Sequence, residues 1–289
     1  MPGQQNVIRV GLVDTTGALD ASLVQAAAAA INIQVTRDLP QFWPIQATVE
    51  FLASPRAIPS GVWPVKLVAS LPPGEGGFHL DLHNQPYAKV IGTPDDNSWT
   101  IDASHEILEM LVDPNGNRMQ VSGAIGIVDG KIVDQPGEFS YLVEACDPCE
   151  ANGCGYGING ITVSDFITPH FYDATQMAGL RYSFNNQLTA PRQILPGGYI
   201  SFLNQETETW QQILYVDPNA PPTLHDLGPA TNRRSHREWV DNMWTKEKAS
   251  LGKARHQAVR HAPAHVEAHR RDHSRRLAAI AEIRARYSP

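Results

Sequence analysis

Long apolar runs are absent from this chain. Nowhere in its 289 residues do eighteen apolar side chains follow one another, so neither a membrane-spanning helix nor a membrane partner is expected. Cysteine is scarce: three residues, an odd number, are too few for a disulfide scaffold. Met1-Pro-Gly-Gln-Gln lacks the basic n-region of a secretory signal, and the alanine-rich stretch from Leu23 to Ile33 lies too far in to be its apolar core. A cytoplasmic or phage/assembly-associated protein without a Sec signal peptide is the expectation. No internal repeat is evident. What is present, 42% apolar and 18% charged residues, suits a globular protein with a substantial core.

The net charge of −7 hides a division. Residues 231–289 carry 14 Lys/Arg against 6 Asp/Glu, a net +8, and residues 1–230 carry the other 9 basic and 24 acidic groups, a net −15. The asymmetry points to a domain over residues 1–225 and a basic, His/Arg-rich helical tail over 226–289. Proline-rich Asp217-Pro-Asn-Ala-Pro-Pro and Gly228-Pro229 mark the boundary.

The β-branched run Val7 to Asp14 reads as a buried strand. Asp20 is placed to cap a helix from Ala21 to about Asp38, ended by Pro40. Strands follow at Ala47 to Leu52 and Val65 to Ala69. Phe78 to Ile91 holds a hairpin turn near Asn84, and Pro86 argues that its second strand is an edge, since proline donates nothing to a ladder. Thr100 to Asp113 is the next helix, capped by Asp102 or Ser104 and stopped by Pro114 and Gly116. From there to Phe202 the chain is rich in Gly, Pro and Asn and reads as an irregular second half, with short strand-like pieces such as Ala124 to Val128 and Tyr141 to Ala145.

The chemistry concentrates in His105-Glu106-Ile-Leu-Glu109. Residues i and i+4 of a helix project from one face, so His105 and Glu109 converge on a point where one ion can sit. Imidazole nitrogen and carboxylate oxygen both reach Zn²⁺ at ~2.0–2.2 Å. Glu106 is rotated ~100° around the axis, which lets it serve as a base rather than a ligand. Hydrolysis needs both parts: an ion that acidifies water, and a base that takes the proton.

This segment resembles the active-site helix of the zincin metallopeptidases, which reads H-E-x-x-H, with Glu109 here replacing the second histidine. The order of elements before the helix is similar too, over roughly residues 7 to 115. The resemblance implies an α+β, zincin-like mixed sheet with an active-site helix, one Zn²⁺ per chain and hydrolysis of a peptide or protein substrate, with Glu106 as general base. It also implies an edge strand bordering the cleft, able to pair with extended substrate, with Phe78 to Ile91 in that place. The carboxylate at 109 opens the site to Mn²⁺ or Ca²⁺.

A third ligand must come from elsewhere. Asp113 is ~12 Å from His105 along a regular helix. Glu144 follows apolar Leu142 and Val143 and starts from a partly buried setting, where a charge needs a partner. It is the preferred third metal ligand, with Asp147 and Asp113 as alternatives, and a distant downstream glutamate is similar to the gluzincin branch of the family. Asp113, Glu144, Asp147 and Glu150, with Asn115-Gly116-Asn117 nearby, also make an oxygen-rich set for a structural Ca²⁺. Cys146, Cys149 and Cys154 lack a companion pair at finger spacing and read as free thiols. Tyr156, ahead of Tyr172 and His170, is the candidate catalytic hydroxyl that would donate to developing oxyanion charge. His79 and His83, two alternations apart, share one face of a strand and could line the cleft, but read by default as surface residues.

In the tail, His261, His265, His269 and His273 recur every four residues among arginines, and Trp239, Val240, Met243 and Trp244 form an apolar stripe that could dock on the domain or a partner. An acidic partner or nucleic acid fits that charge, although no aromatics interleave with the basic residues of the histidine ridge. The alternative to a hydrolase is therefore a non-catalytic, metal-stabilised structural or binding protein of a phage or secretion-type assembly, acting through its tail.

Overall fold

The opening apolar run forms β1 (Ile8–Asp14), with Val10, Leu12 and Val13 fully buried. The structure, a computed structural model, describes residues 7–72, 76–95, 97–150, 154–229 and 235–243. β1 pairs in parallel with β2 (Ala47–Phe51) on one side and β3 (Val62–Val68) on the other, which explains a strand apolar on both faces. Between β1 and β2 runs α1 (Ala21–Ile33), whose cap Asp20 accepts from the Ser22 amide at 2.7 Å, as the sequence predicts. Beyond Ile33 the expected helix loosens into a π-turn, Gln34–Asp38, which buries Gln34, Val35 and Asp38 together.

β4 (Gly77–Leu82) and β5 (Gln85–Ile91) form the expected hairpin, with His83 and Asn84 at positive φ in the turn. The order of this first sheet is β2-β1-β3-β5-β4, and only β4 runs antiparallel. The edge is therefore β4, and the expectation of an edge at Pro86 is corrected. β3 and β5 pair only from Val65/Ala88 onward, so Pro64 and Pro86 both precede that ladder.

α2 (Trp99–Val112) packs on β4 and β5. Twelve of its fourteen residues are buried, so it is enclosed on all sides rather than amphipathic. Ser98 stands at its N-cap, with no capping bond from its side chain, in place of the expected Asp102 or Ser104. Ser104 instead accepts from the Ser164 amide at 2.6 Å. Asp113 ends the helix, and its carboxylate accepts from the Arg118 amide at 2.7 Å.

The second half is more regular than its composition suggests. β6 (Met119–Val128), β7 (Lys131–Leu142), β10 (Tyr199–Asn204), β11 (Thr209–Leu214) and β12 (Thr223–Pro229) make an antiparallel sheet of order β12-β11-β10-β7-β6. The expected pieces at Ala124 to Val128 and from Tyr141 fall in β6 and β7, and register shifts at Gly123/Ala124 and Trp210/Gln211 break the period-two pattern of the longer strands. The stretch between β7 and β10 is irregular as expected, apart from the ribbon of β8 (Tyr156–Ile158) and β9 (Ile161–Val163). The chain is thus α+β.

β12 runs across the expected boundary at residue 225. Residues 236–243 form a further helical segment, α3, whose Trp239 and Val240 pack with Leu142, Trp210, Leu214 and Leu227 of the second sheet. Among the described residues no helix is long and apolar enough to cross a membrane.

Candidate metal centre

The helical period brings the motif together as the sequence predicts. His105 Nε2 lies 3.3 Å from Glu109 Oε2, one turn further along α2. The other oxygen of Glu109 accepts from the Cys146 amide at 3.0 Å, which fixes the carboxylate and ties α2 to the chain leaving β7. That chain carries Glu144 and Asp147. Asp147 Oδ1 stands 3.2 Å from His105 Nε2, close enough for an ion pair but not aligned as a hydrogen bond, and both Asp147 oxygens are buried without a donor. Glu106, on the adjoining face, has Oε2 3.3 Å from His79 Nδ1 of β4. Gly77 of β4 leaves room for Glu106, because a Cβ there would lie 2.8 Å from Glu106 Oε1. Into the centre comes Arg237, which donates to Glu109 Oε2 at 2.6 Å and also to Glu144 Oε2.

All of these groups are buried, Glu109 completely and His105, the most open of the histidines and carboxylates, to 7% exposure. Three sets of donor atoms each lie within 4.8 Å of one another: His105, Glu109 and Cys146; His79, Glu106 and Glu109; and Glu109, Glu144 and Asp147. Glu109 belongs to every set. A buried carboxylate without a donor, as at Asp147, is a group that a cation would satisfy. Mixed imidazole and carboxylate donors suit Zn²⁺, and the excess of carboxylates also suits harder ions. The residues present fit a divalent cation.

Burial sets the electrostatics, and neighbouring charges then sort the groups. Burial pushes Glu106 up to about 7, against the pull of the Arg237 and His105 cations. Asp147 is likewise raised to about 7 by burial and by the charge of Glu109. Burial also holds Glu144 well above the ordinary carboxylate range. Glu109 is the exception: despite burial, His105 and Arg237 hold it well below that range. Burial opposes the proton on His105, yet Glu109 and Asp147 keep its pKa well above the usual value. Burial and Arg237 lower His79 to about 3. A neutral His79 fits its contacts, with Nδ1 donating to Glu106 and Nε2 facing Arg237 Nη1 at 3.5 Å.

The structure brings together His105, Glu106, Glu109 and Glu144 of the residues picked from the sequence, and adds Asp147, which the sequence offered as an alternative. It does not bring in Tyr156, whose hydroxyl donates to Asp38 at 2.9 Å and accepts from Gln34 at 3.0 Å. Tyr172 is the tyrosine beside the acidic cluster: burial, with the charges of Glu144, Asp147 and Glu109, raises its pKa far above normal. His170 pairs with Asp173 at 2.8 Å. Asp113 and Glu150 stand at turns, one ending α2 and the other ending the 3₁₀ turn after Cys146. Cys146, Cys149 and Cys154 are buried and form no disulfide with one another. The ridge from His261 to His273 and Trp244 lie outside the described residues.

Two cluster residues were missed. His79 sits on a strand whose burial alternates only weakly, and a lone histidine there reads as surface. Arg237 had no signal of its own within a basic tail. The neighbouring apolar stripe of Trp239, Val240 and Met243 was the available cue that this segment docks. The chain matches no protein-family model, no curated protein and no solved structure at a significant level.

Proposed function

We propose that this chain is a metal-dependent peptide-bond hydrolase of zincin-like architecture. One observation carries the reading: His105 and Glu109 meet on one face of a buried helix, Asp147 stands 3.2 Å from His105, and Glu109 shares one donor set with Glu144 and Asp147 and another with Glu106. His105, Glu109 and Glu144 would hold the ion, Zn²⁺ in this reading, and Asp147 would orient His105 or complete the shell. When bound, the ion supplies Lewis acidity that polarises a carbonyl oxygen and acidifies water.

The chain's own residues supply the rest. Glu106 takes the proton at Oε2, the oxygen that His79 Nδ1 already orients. β4 is an outer strand of its sheet and passes directly over Glu106 at Gly77, so an extended peptide paired along β4 would lie beside the base. The mixed first sheet with a single antiparallel edge, followed directly by the motif helix, supports the zincin-like reading.

The test is cleavage of an unstructured protein such as casein by the full chain at saturating Zn²⁺, followed by mass spectrometry of the products. Glu106→Gln should lower the rate by about 10²–10⁴-fold while Zn²⁺ stays bound. Equal cleavage by both proteins, or none by the wild type, contradicts the proposal.

A further inference from the structure

The cluster is closed by a cation from the chain itself. Arg237 Nη1 donates to Glu109 Oε2 at 2.6 Å and to Glu144 Oε2, and lies 3.5 Å from His79 Nε2. Nη2 is 3.9 Å from Glu106 Oε2, and Nε is 3.6 Å from Asp241 Oδ2 on the same helical segment. One guanidinium nitrogen thus stands among two carboxylates and an imidazole that could receive an ion. A guanidinium keeps its charge at any ordinary pH, so this is a permanent cation. An ion bound by the same two oxygens would compete with Nη1 for them.

The segment holding Arg237 is held by hydrogen bonds to the turn after α2 and by an apolar anchor on the second sheet. The Arg237 amide donates to Gly116 O at 3.0 Å and the His236 amide to Asn117 Oδ1 at 2.9 Å. Gly116 has φ +62°, and a Cβ there would meet Ser235 Oγ at 2.6 Å and Arg237 Cβ at 2.9 Å, so the glycine leaves the space that seats the segment. Trp239 and Val240 supply the apolar anchor. Residues 235–243 join neither sheet, so undocking breaks no strand pairing. While the segment is docked, Glu106 and Glu109 are buried to 4% and 0% exposure, which leaves a substrate no approach to them.

We infer that residues 235–243 are a tethered inhibitor of the metal centre, with Arg237 standing in for the ion so that the docked segment and a divalent cation exclude one another. The inference rests on the metal-centre reading above. Exclusion makes a quantitative demand. If the segment docks with equilibrium constant K, the apparent ion affinity falls by 1 + K, and ion binding undocks the segment to the same degree.

The experiment titrates Zn²⁺ alone into the full chain against a chromophoric chelator, and follows trypsin cleavage after Arg237 by mass spectrometry. Arg237→Met removes the cation, and the double variant Trp239→Ala/Val240→Ala releases the anchor while leaving the cluster intact. The second variant keeps the test decisive if the first fails to fold. The expected result is Zn²⁺ binding about ten-fold or more tighter in the variants, with Arg237 protected in chelator and cleaved in Zn²⁺ in the wild type. Equal affinity in all proteins, lost with His105→Ala, and unchanged protection of Arg237 would overturn the inhibition and leave the metal centre standing. No Zn²⁺ binding in any of them would overturn both.

Discussion

The imidazole of His105 and the carboxylate of Glu109, one helical turn apart on α2, meet with Nε2 3.3 Å from Oε2. Glu109 also holds Arg237 at 2.6 Å, accepts from the Cys146 amide and belongs to every set of donor atoms that could receive an ion. Glu109→Gln keeps the shape and the acceptor for Cys146 but removes the charge. Breaking a buried pair from one side leaves the other charge poorly compensated, at a cost of about 3–5 kcal/mol. Denaturant unfolding of the metal-free protein should show a loss of that size, and Zn²⁺ affinity should fall by more than about 10²-fold, beyond what losing a group that only orients a ligand would cost. Unchanged stability and affinity would remove Glu109 from the centre.

The pH dependence of the metal-free protein follows from the same cluster. Glu106 and Asp147 titrate near 7 in the fold, above ordinary values of 4.5 and 3.8, so the folded state binds more protons and stability falls as pH rises towards 7. His105, also raised, contributes stability that is lost as pH climbs through its folded pKa. His79, lowered to about 3, works the other way, but only up to its ordinary value of 6.5. Above pH 6.5 the decline is unopposed. Thermal melts in chelator should give a lower Tm at pH 8 than at pH 6.5, and Zn²⁺ should raise Tm more at pH 8, because ligands bind it deprotonated. A Tm that rises across this interval without metal contradicts the electrostatic account.

Tyr156 bears on stability rather than turnover. Its hydroxyl serves the buried Asp38 and Gln34 on the π-turn after α1. Tyr156→Phe should cost about 1.5–3 kcal/mol in urea unfolding, the usual worth of a hydrogen bond to a charged group, while Asp38 keeps its pair with Arg37. Cleavage per folded molecule should be unchanged, and a loss of turnover without loss of stability would restore the catalytic role the sequence suggested.

Much of the first sheet was legible because its signals are local. Buried parallel strands are apolar throughout, Asp20 caps α1, and i/i+4 spacing alone places His105 against Glu109. The rest depends on contacts far apart in sequence. Pro86 suggested an edge because the register of β3 against β5, which starts only at Ala88, cannot be read from either strand. β6 and β7 were legible only in part, at Ala124 to Val128 and from Tyr141, because a bulge shifts the period in mid-strand. His79 and Arg237 reach Glu109 across long chain separations, and a charged residue shows its burial only through the partners that neutralise it.

The central claim is that this cluster holds one divalent ion. Elemental analysis of the full chain, purified without a histidine tag or chelator and equilibrated with Zn²⁺, tests it beside His105→Ala. The account expects about one zinc per wild-type chain and almost none in the variant. No bound metal, or the same amount in both proteins, would contradict it.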